Sequence, residues 1–141
     1  MGAVIPPWNF PLVLAARKAA PALAAGCPVI LRPARKTPLC ALELARCAEA
    51  AGLPPGVLQV ITGDSRMVAA ELLDSPVCCK VSFTGSTAVG RELLRASAGA
   101  LTKLSLELGG HAPVLVFADA DVEAAAEAQP NVIRLSPAPR R

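Results

Sequence analysis

A segment suited to phosphate binding occupies residues 81–94, with the sequence VSFTGSTAVGRELL. An apolar run leads into Thr84, Gly85 and Ser86, and a helical pattern follows them. Glycine and small hydroxyl residues at the end of a parallel strand let a helix N-terminus approach a phosphate closely. The pattern GxGxxG is not met, because Thr87 stands where its second glycine would be. The segment therefore indicates either a phosphate-binding turn or a tight strand-to-helix connection.

Two polar side chains interrupt apolar stretches elsewhere in the chain. Glu107 follows an apolar run and precedes two glycines, so it is either a functional carboxylate or an exposed acid at a strand end. Asn9 lies between two aromatic residues. A buried amide must have its hydrogen bonds met, and donating to a developing oxyanion is one way to meet them. Capping of a helix is the alternative for Asn9.

The cysteines and the single histidine do not form a recognisable ligand set. Five cysteines are an odd number, and no two of them stand in a CxxC pair: Cys27, Cys40, Cys47, Cys78 and Cys79. A zinc site would need a better ligand set, and a disulfide framework would leave one thiol over. We therefore expect no metal site, and free thiols in a reducing compartment.

Composition narrows the class of protein. Hydrophobic residues make up 53% of 141 residues, which excludes a disordered chain and allows one domain with a real core. The aromatic share of 3% argues against a protein that stacks nucleic-acid bases. The longest apolar stretch is broken by Arg17, Lys18 and Pro21, so no membrane span is expected. A net charge of +3 is mild and suits small phosphate-bearing ligands about as well as no particular partner.

Strand and helix patterns alternate along the chain. Helices are predicted at residues 12–25, 39–51, 65–73 and 87–98, and strands at residues 28–31, 57–61, 80–83, 101–107 and 114–117. The strands are continuous apolar runs, which is typical of strands covered on both faces. The pattern predicts an α/β fold of Rossmann type, a mostly parallel sheet with helices on both faces.

Several segments, taken together, resemble aldehyde dehydrogenases. PWNFP at 7–11, RKAAPALAAGC at 17–27, FTGST at 83–87 and ELGGHAP at 107–113 stand in that family's order. The match runs from about residue 5 to residue 128, and residues 80–87 and 104–125 look most like the succinate-semialdehyde dehydrogenase branch. The resemblance implies a homo-oligomeric enzyme of the cytoplasm or mitochondrial matrix. Its partners would be a dinucleotide and a small aldehyde, which it oxidises to the acid.

The resemblance also assigns roles to residues. Asn9 would donate to the thiohemiacetal oxyanion, and Glu107 would be the general base for the cysteine or the hydrolytic water. Ser86 would hold the pyrophosphate, Trp8 would line the channel, and the backbone of Leu108 would lie close to the nicotinamide. Further cofactor-binding positions implied by the resemblance are Pro7, Gly63 and Gly85.

One departure from the family concerns cofactor choice. The family usually has lysine, Pro-Ala and then often glutamate, where this chain has Arg32, Pro33, Ala34 and Arg35. By the resemblance, Arg32 would reach the adenosine ribose. The reversed charge of Arg35 could pair with a 2′-phosphate, or Arg35 is a solvated surface residue. The cofactor is therefore expected to be NAD or NADP, with NADP weakly favoured.

A second departure concerns the nucleophile. In the family a cysteine in a Gly-Gln-x-Cys context follows the glutamate, and none of the five cysteines here lies in that context. We expect residues 1–128 to be part of an NAD(P)-binding domain. Residues 129–141, which include three prolines, would form an unrelated, unfolded tail or an extension packed on the sheet. The chain would be a truncated aldehyde dehydrogenase, or a non-catalytic product with residual dinucleotide binding.

Overall fold

The computed structural model describes residues 1–100, 102–110 and 114–128. The predicted tail at 129–141 lies outside the described residues. The chain divides into two compact units, Met1–Gly109 and Gly110–Arg141, of which the first contains every strand described below.

The first unit is built on a five-stranded sheet in the order β3-β2-β1-β4-β5. All four neighbouring pairs are parallel. The strands are β1 (Gly2–Ile5), β2 (Val29–Leu31), β3 (Leu58–Val60), β4 (Lys80–Gly85) and β5 (Lys103–Leu108). The α/β class and the parallel sheet predicted from the sequence are confirmed.

Four helices connect the strands. They are α1 (Val13–Ala24), α2 (Pro38–Ala50), α3 (Ser65–Asp74) and α4 (Thr87–Ala96). Gly26 and Gly52 follow α1 and α2 with φ of 75° and 93°, a left-handed backbone that glycine adopts without a Cβ penalty. Asp64 caps α3, because its carboxylate accepts hydrogen bonds from the backbone N–H groups of Arg66 and Met67.

The sheet carries an apolar core on each face. On one face α1 and α2 pack over β1 to β3, where the buried residues are Val4, Ala15, Ala19, Val29, Leu31, Ala41 and Leu58. On the other face α3 and α4 contribute to a second core, formed by Ala3, Ile5, Leu72, Leu73, Cys78, Val81, Phe83 and Leu93. Covering helices on both faces explain why β1 and β2 are continuous apolar runs. The expectation fails for β3, β4 and β5, in which polar residues alternate with apolar ones and are only partly buried or exposed.

Two glycines allow close packing where β4 and β5 end. A Cβ on Gly85 would lie 2.4 Å from Cζ of Phe83, so the buried aromatic ring occupies the space beside that glycine. A Cβ on Gly90 in α4 would lie 2.6 Å from Cδ2 of Leu108. Gly90 therefore lets the last residue of β5 pack against the helix, and both strand ends are held in place.

The structure corrects three details of the secondary-structure prediction. Strand β1 was not predicted, because four residues ahead of a Pro-Pro pair are too few to show a pattern, yet it forms the centre of the sheet. The predicted strand at 114–117 is wrong: these residues pair with no strand in the described part of the chain. An apolar run predicts an extended backbone, but a strand forms only where a second strand is available to pair with it. A short helix, α5 (Val122–Ala128), was also missed.

Within the described ranges, no helix has the length and apolar character needed to cross a membrane.

Candidate active site

Three segments predicted to carry chemistry meet at one edge of the sheet. Because β1, β4 and β5 are parallel, their carboxyl ends lie together, and the loops that follow them surround a common cavity. The cavity has a volume of about 490 Å³ and is lined by Pro7, Trp8, Asn9, Thr84, Gly85, Ser86, Glu107, Leu108 and Gly109. Seven of the ten predicted site residues therefore line one cavity, which we call the edge cavity.

Glu107 is held by two donors. The hydroxyl of Thr84 donates to Oε2 of Glu107 at 2.9 Å, and Nζ of Lys18 lies 3.2 Å from Oε1. The Thr84 hydrogen bond, followed by the hydrogen bond and charge of Lys18, lowers the pKa of Glu107 below the ordinary value of a glutamate. The side chain is about half exposed, at 56%. Glu107 is thus an ionised, oriented carboxylate at neutral pH.

Lys18 is a site residue that the sequence prediction missed. Its side chain is only 5% exposed, and besides the Glu107 contact its Nζ donates to the hydroxyl of Ser82 at 3.1 Å. The signal was present in the helix pattern, because Lys18 follows the buried Ala15 by three positions and so lies on nearly the same face of α1. A charged residue on an apolar helix face implies a polar or oppositely charged partner.

Asn9 is not the buried amide that its two aromatic neighbours predicted. Asn9 is exposed, so no buried amide has to be satisfied there. The capping alternative fails as well, because the residue at the N-cap of α1 is Leu12. Asn9 instead stands on the wall of the edge cavity beside Trp8, whose side chain is 60% exposed. The ammonium of Lys36 lies 5.4 Å from the centre of the Trp8 ring, a cation–π contact.

Ser86 stands at the start of α4. It is the N-cap of the helix, and its hydroxyl accepts a hydrogen bond from the backbone N–H of Val89 at 3.3 Å. The first turn of α4 contains no acidic residue, so the positive end of the helix dipole is not neutralised locally. Such a helix start, opening onto the edge cavity after Gly85, has the geometry of an anion site.

The other three predicted site residues line a second cavity, where β2 and β3 end. This cavity has a volume of about 390 Å³ and is lined by Arg32, Pro33, Ala34, Arg35, Pro38, Thr62, Gly63 and Asp64. We call it the arginine cavity. It lies at the same carboxyl edge of the sheet as the edge cavity, because all five strands run in one direction.

Arg32 is buried, whereas Arg35 is exposed. Nη2 of Arg32 donates to the carbonyl of Gly63 at 3.3 Å and to the hydroxyl of Ser65, which ties the end of β2 to the start of α3. Burial lowers the pKa of Arg32, and the nearby carboxylate of Asp64 opposes that shift. Nε of Arg32 is buried and has no hydrogen-bond partner among the described residues. A donor therefore remains for an acceptor brought by a ligand.

The described residues that line the edge cavity include no cysteine. In the same described ranges, no three histidine, cysteine, aspartate or glutamate side chains lie close enough together to hold a metal ion. The chemistry available at the cavity is that of a carboxylate, an amide and an anion-binding helix start.

Comparison with known proteins agrees with the resemblance found in the sequence. The sequence model of the aldehyde dehydrogenase family matches residues 1–133. Over 125 residues the chain is 54% identical to the glutarate-semialdehyde dehydrogenase of Pseudomonas aeruginosa. It is 53% identical, over 125 residues, to the succinate-semialdehyde dehydrogenase [NADP(+)] of Escherichia coli. A crystal structure of an aldehyde dehydrogenase from Brucella melitensis biovar abortus 2308 superposes with a TM-score of 0.85 at 55% identity.

These matches cover most of this chain but a small part of the other proteins. Each of the two curated relatives is matched over 89% of this chain and 26% of its own length. The Brucella structure is likewise matched over 89% of this chain and 26% of that chain. The chain thus spans about a quarter of the length of these relatives.

The pairing of Lys18 with Glu107 predicts a specific pH dependence of stability. The folded pKa of Glu107 is lowered, so its stabilising contribution is complete above the ordinary glutamate pKa of about 4.3 and is lost as the pH falls through the folded value. Between about pH 7 and about pH 3, the free energy of unfolding should therefore fall less in Lys18→Met than in the wild type. Thr84 remains, so part of the loss should persist. Urea denaturation of both proteins at the two pH values measures the free energies of unfolding.

Arg17→Met is the matched control for this experiment. Arg17 is the exposed neighbour of Lys18 on α1, and its charge is the smallest of the causes that lower the pKa of Glu107. This variant should keep the pH dependence of the wild type. An unchanged pH dependence in Lys18→Met would show that the Lys18 contact does not act on Glu107.

Proposed function

Because the chain belongs to the aldehyde dehydrogenase family, we propose that it forms the dinucleotide-binding part of an enzyme that oxidises a semialdehyde to a dicarboxylate. The observation that carries this proposal is the convergence of the PWN, TGS and ELG segments on the edge cavity. Convergence brings an anion-binding helix start and an ionised carboxylate to the same place. Oxidation of an aldehyde with a dinucleotide can use the first to hold the pyrophosphate and the second as a general base.

The dinucleotide would lie along the carboxyl edge of the sheet. The start of α4, with Ser86 and Gly85, would hold the pyrophosphate, and the arginine cavity beyond β2 would take the adenosine ribose. The free Nε of Arg32 would donate to a ribose or phosphate oxygen. Pro7 and Gly63 would bound the path from the two sides, and the backbone of Leu108 would border the nicotinamide. When bound, the dinucleotide would accept a hydride.

Glu107 would act as the general base. As a carboxylate at neutral pH it can accept the proton of a thiol or of the water that releases the acid. Asn9, which is exposed and also lines the edge cavity, would donate its amide hydrogen to the oxygen that gains negative charge when the carbonyl is attacked. Trp8 would form an apolar wall of the aldehyde path. The attacking thiol would come from outside the described residues that line the cavity.

The substrate class proposed for this chain is taken from the names of its relatives. Their names specify glutarate semialdehyde and succinate semialdehyde, aldehydes that carry a carboxylate at the far end. We extend that class to this chain at the level of a short ω-carboxylate aldehyde.

A chimera tests the aldehyde-oxidising role. Residues of this chain would replace the matching 125 residues of the E. coli relative, which are 53% identical. The chimera should form NADPH from succinate semialdehyde, and Glu107→Gln within it should lower kcat by about a hundred- to ten-thousandfold, the usual contribution of a general base. Asp74→Asn, at the end of α3, is the charge-matched control and should leave kcat unchanged. A folded chimera without activity would contradict the proposal.

The choice between NAD and NADP is proposed to depend on Arg35. Members of the family use NAD or NADP, and the arginine cavity presents the exposed guanidinium of Arg35 at the ribose end. An exposed arginine–phosphate pair is worth about 1 kcal/mol, and a bidentate pair roughly 2 kcal/mol. We therefore propose that NADP is preferred by about five- to thirtyfold, and that the preference shrinks as salt is added.

Titration calorimetry with NADP⁺ and NAD⁺ on this chain tests the preference. Arg35→Glu should reverse it, because a carboxylate repels the 2′-phosphate and offers acceptors to the ribose hydroxyls. Arg95→Glu makes the same charge change in the last turn of α4, at the end of that helix remote from Ser86, and should preserve it. Equal affinity of the wild type and Arg35→Glu for NADP⁺ would show that Arg35 points into solvent.

A further inference from the structure

Thr84 and Glu107 face each other across two neighbouring strands. The parallel register pairs Thr84 of β4 directly with Glu107 of β5. Residues paired in this way project their side chains from the same face of a sheet, at a separation that a short side chain can bridge. The hydroxyl of Thr84 is close enough to donate a hydrogen bond to Oε2 of Glu107, at 2.9 Å.

The two oxygens of Glu107 have different partners. Thr84 holds Oε2, and the ammonium of Lys18 holds Oε1 at 3.2 Å from a different element, α1. Two donors on two oxygens fix the rotation of the carboxylate about its last bond, which one donor would leave free. Orientation matters here because a glutamate that is more than half exposed otherwise samples many rotamers.

The hydroxyl of Thr84 is presented from a rigid part of the backbone. Phe83, the preceding residue, is buried in the core, and its ring fills the space beside Gly85, the following residue. Ser86 then caps α4. The backbone on both sides of Thr84 is therefore fixed by packing, and Thr84 cannot easily move away from Glu107.

We propose that Thr84 is a positioning residue, whose hydroxyl holds the Glu107 carboxylate at the wall of the edge cavity together with Lys18. The proposal rests on the proposed function to the extent that Glu107 is the base. Thr84 makes no bond to substrate and transfers no proton in this role. It donates a hydrogen bond to the charged form of the carboxylate, and so favours that form and one orientation of it.

Carboxyl titration by NMR tests the proposal on the chain itself. Protein labelled with ¹³C at the glutamate side-chain carboxyl would be titrated with acid, and Glu107→Gln would assign the signal of Glu107. In Thr84→Val, which has nearly the same shape without the hydroxyl, the titration midpoint of Glu107 should rise toward that of an ordinary glutamate. In Thr84→Ser, which keeps the hydroxyl, the midpoint should stay close to that of the wild type.

Two outcomes would overturn the proposal. An unchanged midpoint in Thr84→Val would mean that Lys18 alone sets the state of the carboxylate. An equal rise in Thr84→Val and Thr84→Ser would mean that the midpoint responds to any change of this side chain and not to loss of the hydroxyl. Thr84→Ala removes the hydroxyl without branching at Cβ and gives the same reading if Thr84→Val does not fold. The titration uses no dinucleotide or aldehyde, so its result is independent of whether the proposed function holds.

Discussion

The site depends on one constraint, the parallel pairing of β4 with β1 on one side and with β5 on the other. Parallel strands end at the same edge, so residues separated by about a hundred positions in sequence are brought to one place. The loop after β1 supplies an amide and an indole, the loop after β4 supplies a helix start, and the penultimate residue of β5 supplies a carboxylate. Antiparallel pairing of any one strand would send its loop to the opposite edge.

The sheet also determines the electrostatic state of Glu107. The register places Thr84 beside it, and packing of α1 over β1 and β2 brings Lys18 within reach of it. Both donors favour the ionised carboxylate, so a base is available at neutral pH without a metal ion. The cationic groups at the other end of the same edge, Arg32 and Arg35, suit the phosphate-bearing part of a ligand. The carboxylate of Glu107 and the guanidinium groups of Arg32 and Arg35 therefore lie at different places along the same edge of the sheet.

The sequence predicted the elements whose patterns are local. The ends of α1 and α2 follow from Gly26 and Gly52, and the strands predicted at 28–31 and 80–83 are found as the parallel strands β2 and β4. What the sequence missed depends on contacts between distant segments. The role of Lys18 requires Ser82 and Glu107, and neither is its neighbour in sequence. The burial expected for Asn9 and the strand expected at 114–117 failed because apolar neighbours in sequence do not guarantee neighbours in space.

We propose that a dinucleotide binds along the carboxyl edge of the sheet, and mapping of chemical shifts in ¹⁵N-labelled chain titrated with NADP⁺ tests this most directly. The account predicts shifts at the indole of Trp8, the one tryptophan, and at the amides of Gly63 and Ser86, which lie on loops at that edge. The amides of Cys27 and Cys79, which precede β2 and β4 at the opposite edge, should not move. Shifts confined to the opposite edge, or none at saturating NADP⁺, would contradict the account.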